Sequence, residues 1–163
     1  MWTCPRCGYR FVSANSWHSC SRIDIDELFA RSLPNVRACF DRFVELLERC
    51  GPIEVIPQKT RIAIMADVRF AGGQVRRDRF LATFALGRRV DHPLLVRHED
   101  YGPRWIVHRL ALHDPAQLDD AALAELVCES YRDLGLRGSL TRGRTERCGG
   151  RPAATSGLRS RPG

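Results

Sequence analysis

The chain has 163 residues, of which 44% are hydrophobic and 28% are charged. These values are ordinary for a globular protein and suffice for one well-buried domain with a small appendage. No stretch approaches the roughly 18 apolar residues of a membrane-spanning helix, and the N-terminal residues MWTCPRCG do not resemble a signal peptide. The composition therefore excludes an integral membrane protein, and we expect a cytoplasmic protein without a membrane partner.

The formal net charge of +7 is concentrated near the C-terminal end. Residues 137–163 hold seven arginines and one acid, Glu146, whereas residues 1–136 hold 19 basic and 18 acidic residues. The C-terminal segment is rich in Gly, Arg, Ser and Pro and lacks apolar periodicity, which predicts a disordered tail. Such a tail either attracts nucleic acid weakly and salt-sensitively or is a solvated extension without a dedicated role.

The first twenty residues have the spacing of a zinc site. Cys4 and Cys7 form a CxxC pair, and Gly8 permits the positive-φ turn that such a pair needs. His18 and Cys20 supply a second pair, so that three thiolates and one imidazole would close a tetrahedral shell. A closed shell favours a structural Zn²⁺ over a catalytic one. Because so short a segment cannot bury enough surface by itself, the metal would supply its folding energy. Four aromatic residues are expected to form its small core: Trp2, Tyr9, Phe11 and Trp17.

Three further cysteines belong to predicted helices of the main domain. Cys39 and Cys50 lie on or beside the apolar stripe of one helix, and Cys128 adjoins the stripe of another. We predict that all three are buried thiols that pack as small hydrophobic groups.

The order of predicted elements is helix, helix, strands, helix. Asp24 is a suitable N-cap for a first helix, and the spacing of apolar residues predicts a second helix from Pro34 to Cys50, ended by Gly51. The chain then alternates with a period of two, which predicts strands. These strands cover Thr60–Met65, Val68–Phe70 before a hairpin turn at Gly72-Gly73, Phe80–Leu86, Val96–Tyr101 and Trp105–Leu112, and Asp119 caps a final helix that ends at Gly135.

This order predicts an α+β fold, with a small zinc-knuckle-like module followed by an antiparallel sheet of four or five strands and helices packed on one face. The predicted limits are residues 1–22 for the zinc module, 23–136 for the α+β domain and 137–163 for the tail.

The residues from Cys4 to Gly135 resemble a bacterial family catalogued as domain of unknown function 5655, in a form preceded by a small zinc-binding segment. The likeness rests on the segments WTCPRCG, WHSC, GPIEVIPQKTRIAI, VRFAG, DHP, RWIVHRLAL and DDAALAELVCESYRDLG, and covers about four-fifths of the chain. It implies the same fold and domain limits. The family has no established activity, but fusions of related domains to nuclease-like modules imply nucleic acid as a plausible partner.

The best candidate site in the main domain is the segment around Lys59, Thr60 and Arg61. It matches the family's PxKT pattern and places an ammonium, a hydroxyl and a guanidinium at the start of a predicted strand, where they could clamp a carboxylate or phosphate. The alternative is a solvated strand edge protected by charge. His108 alternates with apolar residues of another strand. It is either a buried, hydrogen-bonded histidine or a pocket residue near Lys59.

The sequence contains no serine-nucleophile elbow, phosphate-binding glycine loop, HExxH motif or dinucleotide fingerprint. We therefore predict a non-enzymatic binding module with a structural zinc, which holds nucleic acid or an anionic small molecule near Lys59. The alternative is a small enzyme that acts on an anionic metabolite with Lys59 and His108 in its pocket. A third hypothesis is an adaptor that binds a protein partner through its zinc segment, with Trp2 and Trp17 exposed.

Overall fold

The structure, a computed structural model, describes residues 2–11, 14, 20 and 23–136. The predicted zinc ligand His18, the aromatic Trp17 and the predicted tail of residues 137–163 lie outside the described residues. No helix in the described part of the chain is both long and apolar enough to cross a membrane. The domain limits drawn from the sequence stay a prediction.

The described elements follow the predicted order, with short strands added at the N-terminus. In chain order they are β1 (Trp2–Thr3), β2 (Arg10–Phe11), α1 (Ile25–Phe29), α2 (Pro34–Cys50), β3 (Glu54–Gln58), β4 (Arg61–Met65), β5 (Arg69–Val75), β6 (Phe80–Leu86), β7 (Leu95–Asp100), β8 (Ile106–Leu112), a 3₁₀ helix (Pro115–Asp119), α3 (Ala121–Ser130) and a π-helical turn (Tyr131–Gly135).

Capping residues and the conformations of proline and glycine set the ends of the two N-terminal helices. The Asp24 side chain accepts a hydrogen bond from the backbone N–H of Asp26, which confirms the predicted cap of α1. Helix α2 has the predicted limits, since Pro34 fits the first turn and Gly51 ends the helix with a φ of 151°. The apolar face of α2 is buried through Val36, Cys39, Phe40, Phe43, Leu46 and Leu47.

Within residues 23–136 the strands form a six-stranded antiparallel sheet in the order β3-β4-β5-β6-β8-β7. This confirms the α+β fold with an antiparallel sheet, but with one strand more than predicted. Strand β3 was missed because Pro57 interrupts its pattern, and proline is tolerated there because β3 is an edge strand. Helices α2 and α3 pack on one face of the sheet, in a shared core that contains Phe43, Phe80 and Leu123.

The predicted hairpin turn at Gly72-Gly73 is wrong, because both glycines lie inside β5 and the turn comes at Arg76–Arg79. The glycines are needed for close packing. A Cβ at Gly72 would overlap the backbone carbonyl oxygen of Ile62, and one at Gly73 would overlap the ring of Phe80.

The cap of the final helix is Asp120 and not the predicted Asp119. Asp120 accepts hydrogen bonds from the N–H groups of Ala122 and Leu123, at 2.8 and 3.2 Å. Asp119 ends the preceding 3₁₀ helix, and its carboxylate pairs with the guanidinium of Arg42.

Cys50 and Cys128 form a disulfide that links the end of α2 to α3, which corrects the prediction of two reduced thiols. The helical pattern placed each cysteine beside an apolar stripe but could not show that the two stripes meet. Cys39 is a buried thiol, as predicted, and burial followed by the charge of Asp114 raises its pKa to about 11.

Candidate functional site

The N-terminal hairpin holds its cysteines close together. Cys4 follows β1, and its N–H donates to the Tyr9 carbonyl at 2.9 Å, while Gly8 N–H donates to the Cys4 carbonyl at 2.8 Å. Gly8 has a φ of 77°, the left-handed conformation expected after a CxxC pair. The Sγ atoms of Cys4, Cys7 and Cys20 all lie within 4.8 Å of one another.

These three thiols could hold a metal ion, and their spacing fits a tetrahedral site. Two thiolates bound to one Zn²⁺ at ~2.3 Å stand about 3.8 Å apart when the angle between them is tetrahedral. The Sγ atoms of Cys4 and Cys20 are 3.8 Å apart. Desolvation, followed by the hydrogen bond with Cys4 and the proximity of Cys4 and Cys7, raises the pKa of Cys20. Three crowded thiolates therefore need a cation to remain ionised together.

Tyr9 joins this hairpin to the main domain. It packs against the buried side chains Ile56, Ala63 and Met65, which form a second, small apolar cluster. Ile56 and Ala63 are paired across β3 and β4 and point away from the helical core. The cysteine hairpin thus covers one part of the sheet face opposite the helices.

The predicted anion-binding residues lie at a β-hairpin turn. Gln58 pairs with Arg61, so that Lys59 and Thr60 form the two-residue turn between β3 and β4, and all three predicted residues are exposed. Strand β4 therefore begins at Arg61, one residue later than the predicted start at Thr60. Beside the turn is a surface depression of about 340 Å³, the hairpin depression, lined by Glu27, Leu28, Lys59, Thr60, Arg61, Val75 and Arg76.

His108 does not line the hairpin depression. Its side chain is fully buried on the core face, where Nε2 accepts a hydrogen bond from the Val90 N–H at 3.2 Å. Its ring stacks on Phe84 with centroids 5.4 Å apart. Burial, followed by the His98 ring, lowers the pKa of His108, and nearby backbone groups such as that of Ile106 offset part of this effect.

The joint placement of Lys59 and His108 in one pocket, which the enzyme hypothesis requires, is thus not found. Three strand spacings, each about 4.8 Å, separate β4 from β8, and His108 points to the opposite side of the sheet from Arg61.

A second groove lies on the sheet face opposite the helices, on a part that no described element covers, and sequence reasoning missed most of it. This groove, the open-face groove, has a volume of about 310 Å³. Small side chains of β6 form its floor, including Thr83 and Ala85, beside Val107 of β8. Its charged lining residues are Arg61, Arg69, Glu99 and Arg109, and its aromatic lining residues are Phe70, Phe84, Tyr101 and Trp105.

A β-bulge in β5 turns Arg69 towards this groove. Ile64 pairs with Ala71 and the next residue, Met65, pairs with Arg69, so Phe70 is the extra residue. Directly opposed residues share a face, and Met65 lies on the face that Tyr9 covers. Regular alternation would have placed Arg69 on the helical face with Ala71.

A second bulge, in β7, has the same effect on Glu99. Leu95 pairs with Leu110 and Arg97 pairs with Arg109, which leaves Val96 as the extra residue, 60% exposed. Without it, Arg97 and Glu99 would share the helical face with Leu95. Both bulges therefore bring charged side chains to the face opposite the core.

Glu99 is the centre of a hydrogen-bond network at one wall of the groove. It accepts from Tyr101 Oη at 2.6 Å and from Arg109 at 3.0 Å, and its carboxylate pairs with Arg97 at 3.3 Å. The Tyr101 hydrogen bond is the main reason why the pKa of Glu99 is lowered and the pKa of Tyr101 is raised. Trp105 follows a tight loop closed by its N–H to Gly102 O, at 3.1 Å.

Arg61 and Arg69 are the cations of the groove without a carboxylate partner. Among the described residues, no ion pair involves either side chain. Although Arg69 is exposed to solvent, desolvation by the surrounding protein, followed by the positive charge of Arg61, lowers its pKa. A bound anion would relieve this repulsion.

Comparisons with protein-family models, with curated proteins and with solved structures gave no match. The resemblance to the domain of unknown function 5655 family therefore stays a prediction that rests on the quoted segments.

Proposed function

We propose that this protein is a non-enzymatic binding module that holds an anionic ligand beside the Lys59–Arg61 turn. The observation that supports this proposal is the gathering of Lys59, Arg61 and Arg76 around the hairpin depression, against the single carboxylate of Glu27. In the described part of the chain, none of the three cations forms an ion pair. A carboxylate or phosphate would find charge-assisted hydrogen-bond donors there.

We further propose that the N-terminal hairpin is a structural zinc site, with His18 as the fourth ligand beside Cys4, Cys7 and Cys20. Three sulfur atoms at metal-site spacing support the thiolate ligands. A structural role is consistent with the contact of Tyr9 with the sheet, because an ordered hairpin is needed to hold that aromatic ring against the apolar cluster.

Nucleic acid and small anions present the same oxyanion chemistry to Lys59 and Arg61, so a binding experiment has to separate them. We would measure the fluorescence anisotropy of labelled single- and double-stranded DNA and RNA oligonucleotides, with pyrophosphate as the competitor, between about 50 and 200 mM salt. The proteins are the full chain and a chain shortened to residues 1–136, each with and without Lys59→Gln. Arg49→Gln on α2 removes the same charge from an exposed position outside the depression and serves as the matched control.

For nucleic acid, the proposal predicts that the shortened chain binds and that Lys59→Gln lowers the slope of log affinity against log salt by about 1. For a small anion, pyrophosphate binds and Lys59→Gln weakens it, while Arg49→Gln does not. If only the full chain binds and salt abolishes the binding, the arginines of residues 137–163 are responsible and the proposal is wrong.

A further inference from the structure

We infer that the open-face groove is a binding site for a small aromatic oxyanion with about two negative charges, such as a phosphate monoester that carries a planar ring. The inference deepens the proposed function and rests on it, since Arg61 lines both the hairpin depression and the groove. It adds a separate binding position for the planar ring of the ligand, and it specifies the chemical class of the ligand.

The first support is the construction of the groove by two independent bulges. One bulge moves Arg69 and the other moves Glu99 to the face opposite the core. Bulges interrupt ladder hydrogen bonds and are over-represented where a side chain is re-aimed next to a site. The two bulges face one groove, although their strands, β5 and β7, are separated by β6 and β8. Neither bulge is needed for the helices to pack on the other face of the sheet.

The second support is charge. The groove is lined by three guanidinium groups, Arg61, Arg69 and Arg109, and by one carboxylate, Glu99. Glu99 is already bonded to Arg109 and Tyr101 and cannot neutralise the other two guanidinium groups. The two uncompensated positive charges match a dianion, and planar guanidinium groups bind phosphate or carboxylate oxygens in pairs.

The third support is shape. Small residues on the floor leave space above the sheet. The groove volume of about 310 Å³ is at the lower end of the range for small-molecule sites. Tyr101 and Trp105 line the groove near Val107 of the floor, so a planar apolar body has surfaces to contact. The anion would sit towards Arg61 and Arg69.

The test is isothermal titration calorimetry of the full chain with adenosine monophosphate, adenosine and inorganic phosphate. We expect adenosine monophosphate to bind and each part alone to bind at least about tenfold more weakly, because each lacks one half of the contacts. Two groove variants should weaken the binding of adenosine monophosphate by about tenfold or more. Arg69→Gln removes a charge, and Thr83→Tyr fills the floor of the groove and leaves all charges in place. Thermal unfolding establishes that each variant is folded, and Arg49→Gln controls for net charge.

The outcomes separate the groove from the hairpin depression. Lys59 lines only the hairpin depression, and Arg69 lines only the groove. If Lys59→Gln weakens binding while Arg69→Gln and Thr83→Tyr leave it unchanged, the groove inference is overturned and the proposed function survives. If phosphate binds as tightly as adenosine monophosphate, or if neither binds at millimolar concentration, the inference is also overturned. If neither Lys59→Gln nor the groove variants change the binding, both ideas fail.

Discussion

At the residue scale, Gly72 shows how a side chain can be excluded by a neighbouring backbone. It lies in the middle of β5, where glycine is normally unfavourable, and a Cβ there would overlap the carbonyl oxygen of Ile62. We predict that Gly72→Ala lowers the free energy of unfolding by about 1–3 kcal/mol, as overpacking does. Urea denaturation followed by circular dichroism measures this.

Gly87→Ala is the matched control for Gly72→Ala. A Cβ at Gly87 would have Arg104 atoms as its nearest neighbours at 3.8 Å or more, which is ordinary contact. An equal loss of stability in the two variants would contradict the account of the Gly72 contact.

His108 links one buried ring to the pH dependence of stability. Its pKa is lowered in the folded state, from an ordinary value near 6.5, so the unfolded chain takes up a proton before the folded chain does. The contribution of neutral His108 to stability is complete above pH ~6.5 and is lost as the pH falls towards the folded-state pKa. We predict that unfolding free energies decline less steeply from pH 7.5 to 5 in His108→Gln than in the unchanged protein.

Loss of a metal from the proposed zinc site at acidic pH would affect both proteins in that comparison equally and cancel in the difference. We therefore expect the free energy of unfolding, measured by urea denaturation at each pH, to fall more steeply with falling pH in the unchanged protein than in His108→Gln. Parallel curves would show that His108 titrates in the folded protein as it does in the unfolded one.

At this scale, the sequence predicted the chemical type of the site residues better than the sheet face to which their side chains point. The spacing of Cys4 and Cys7 predicted a shared site, and the structure brings Cys20 to them. Arg69 and Glu99 were not recognised as site residues, because the sequence does not show that their two strands face one groove, and a one-residue bulge leaves no mark in the sequence.

At the element scale, the disulfide between α2 and α3 is the covalent link of the helical layer. Cys50 and Cys128 are 78 residues apart, so the bond restricts a long loop of the unfolded chain. We predict that reduction lowers the free energy of unfolding by about 2–4 kcal/mol. The measurement is urea denaturation with and without a phosphine reductant that does not chelate zinc.

The double variant Cys50→Ser with Cys128→Ser should match the reduced protein and should not respond to the reductant. A reductant effect of the same size in the double variant would place the sensitive group elsewhere. Disulfides persist mainly in oxidising compartments. The bond is therefore in tension with the cytoplasmic localisation expected from the sequence, which stays a prediction.

Elements with a single strong period were predicted well, and those with interruptions were not. Helix α2 and strand β6 have the predicted limits, because burial on one face gives each a regular pattern. Strand β3 contains a proline and β5 contains two glycines, and both residue types indicate turns when tertiary packing is unknown.

At the scale of the whole molecule, the sheet has a helical layer on one face and the cysteine hairpin on part of the other. The hairpin contact depends on Tyr9 against the cluster of Ile56, Ala63 and Met65. We predict that Cys7→Ser abolishes the binding of about one Zn²⁺ per chain and increases amide exchange at this cluster. The helical core should remain folded, because it shares no buried residue with the cluster.

Metal content by elemental analysis and amide hydrogen exchange measure these two effects. Cys39→Ser is the matched control, since Cys39 is a buried thiol of the helical core. Equal zinc content in Cys7→Ser and the unchanged protein would show that the cysteine cluster is not the metal site.

Among the described residues, this arrangement leaves the remaining sheet face and the Lys59–Arg61 turn accessible to a ligand. Residues 1–136 carry nearly balanced charge, whereas residues 137–163 carry most of the excess. Net charge by itself thus favours the C-terminal segment as the anion-binding part. Local clustering of Lys59, Arg61 and Arg76 favours the folded domain.

A ¹⁵N-edited NMR titration of the full chain with pyrophosphate decides between these two parts most directly. Our account predicts saturable shifts of the backbone amides at Lys59, Thr60, Arg61 and Arg76, and their loss in Lys59→Gln but not in Arg49→Gln. Shifts confined to residues 137–163, with the Lys59–Arg61 amides unchanged, would contradict it.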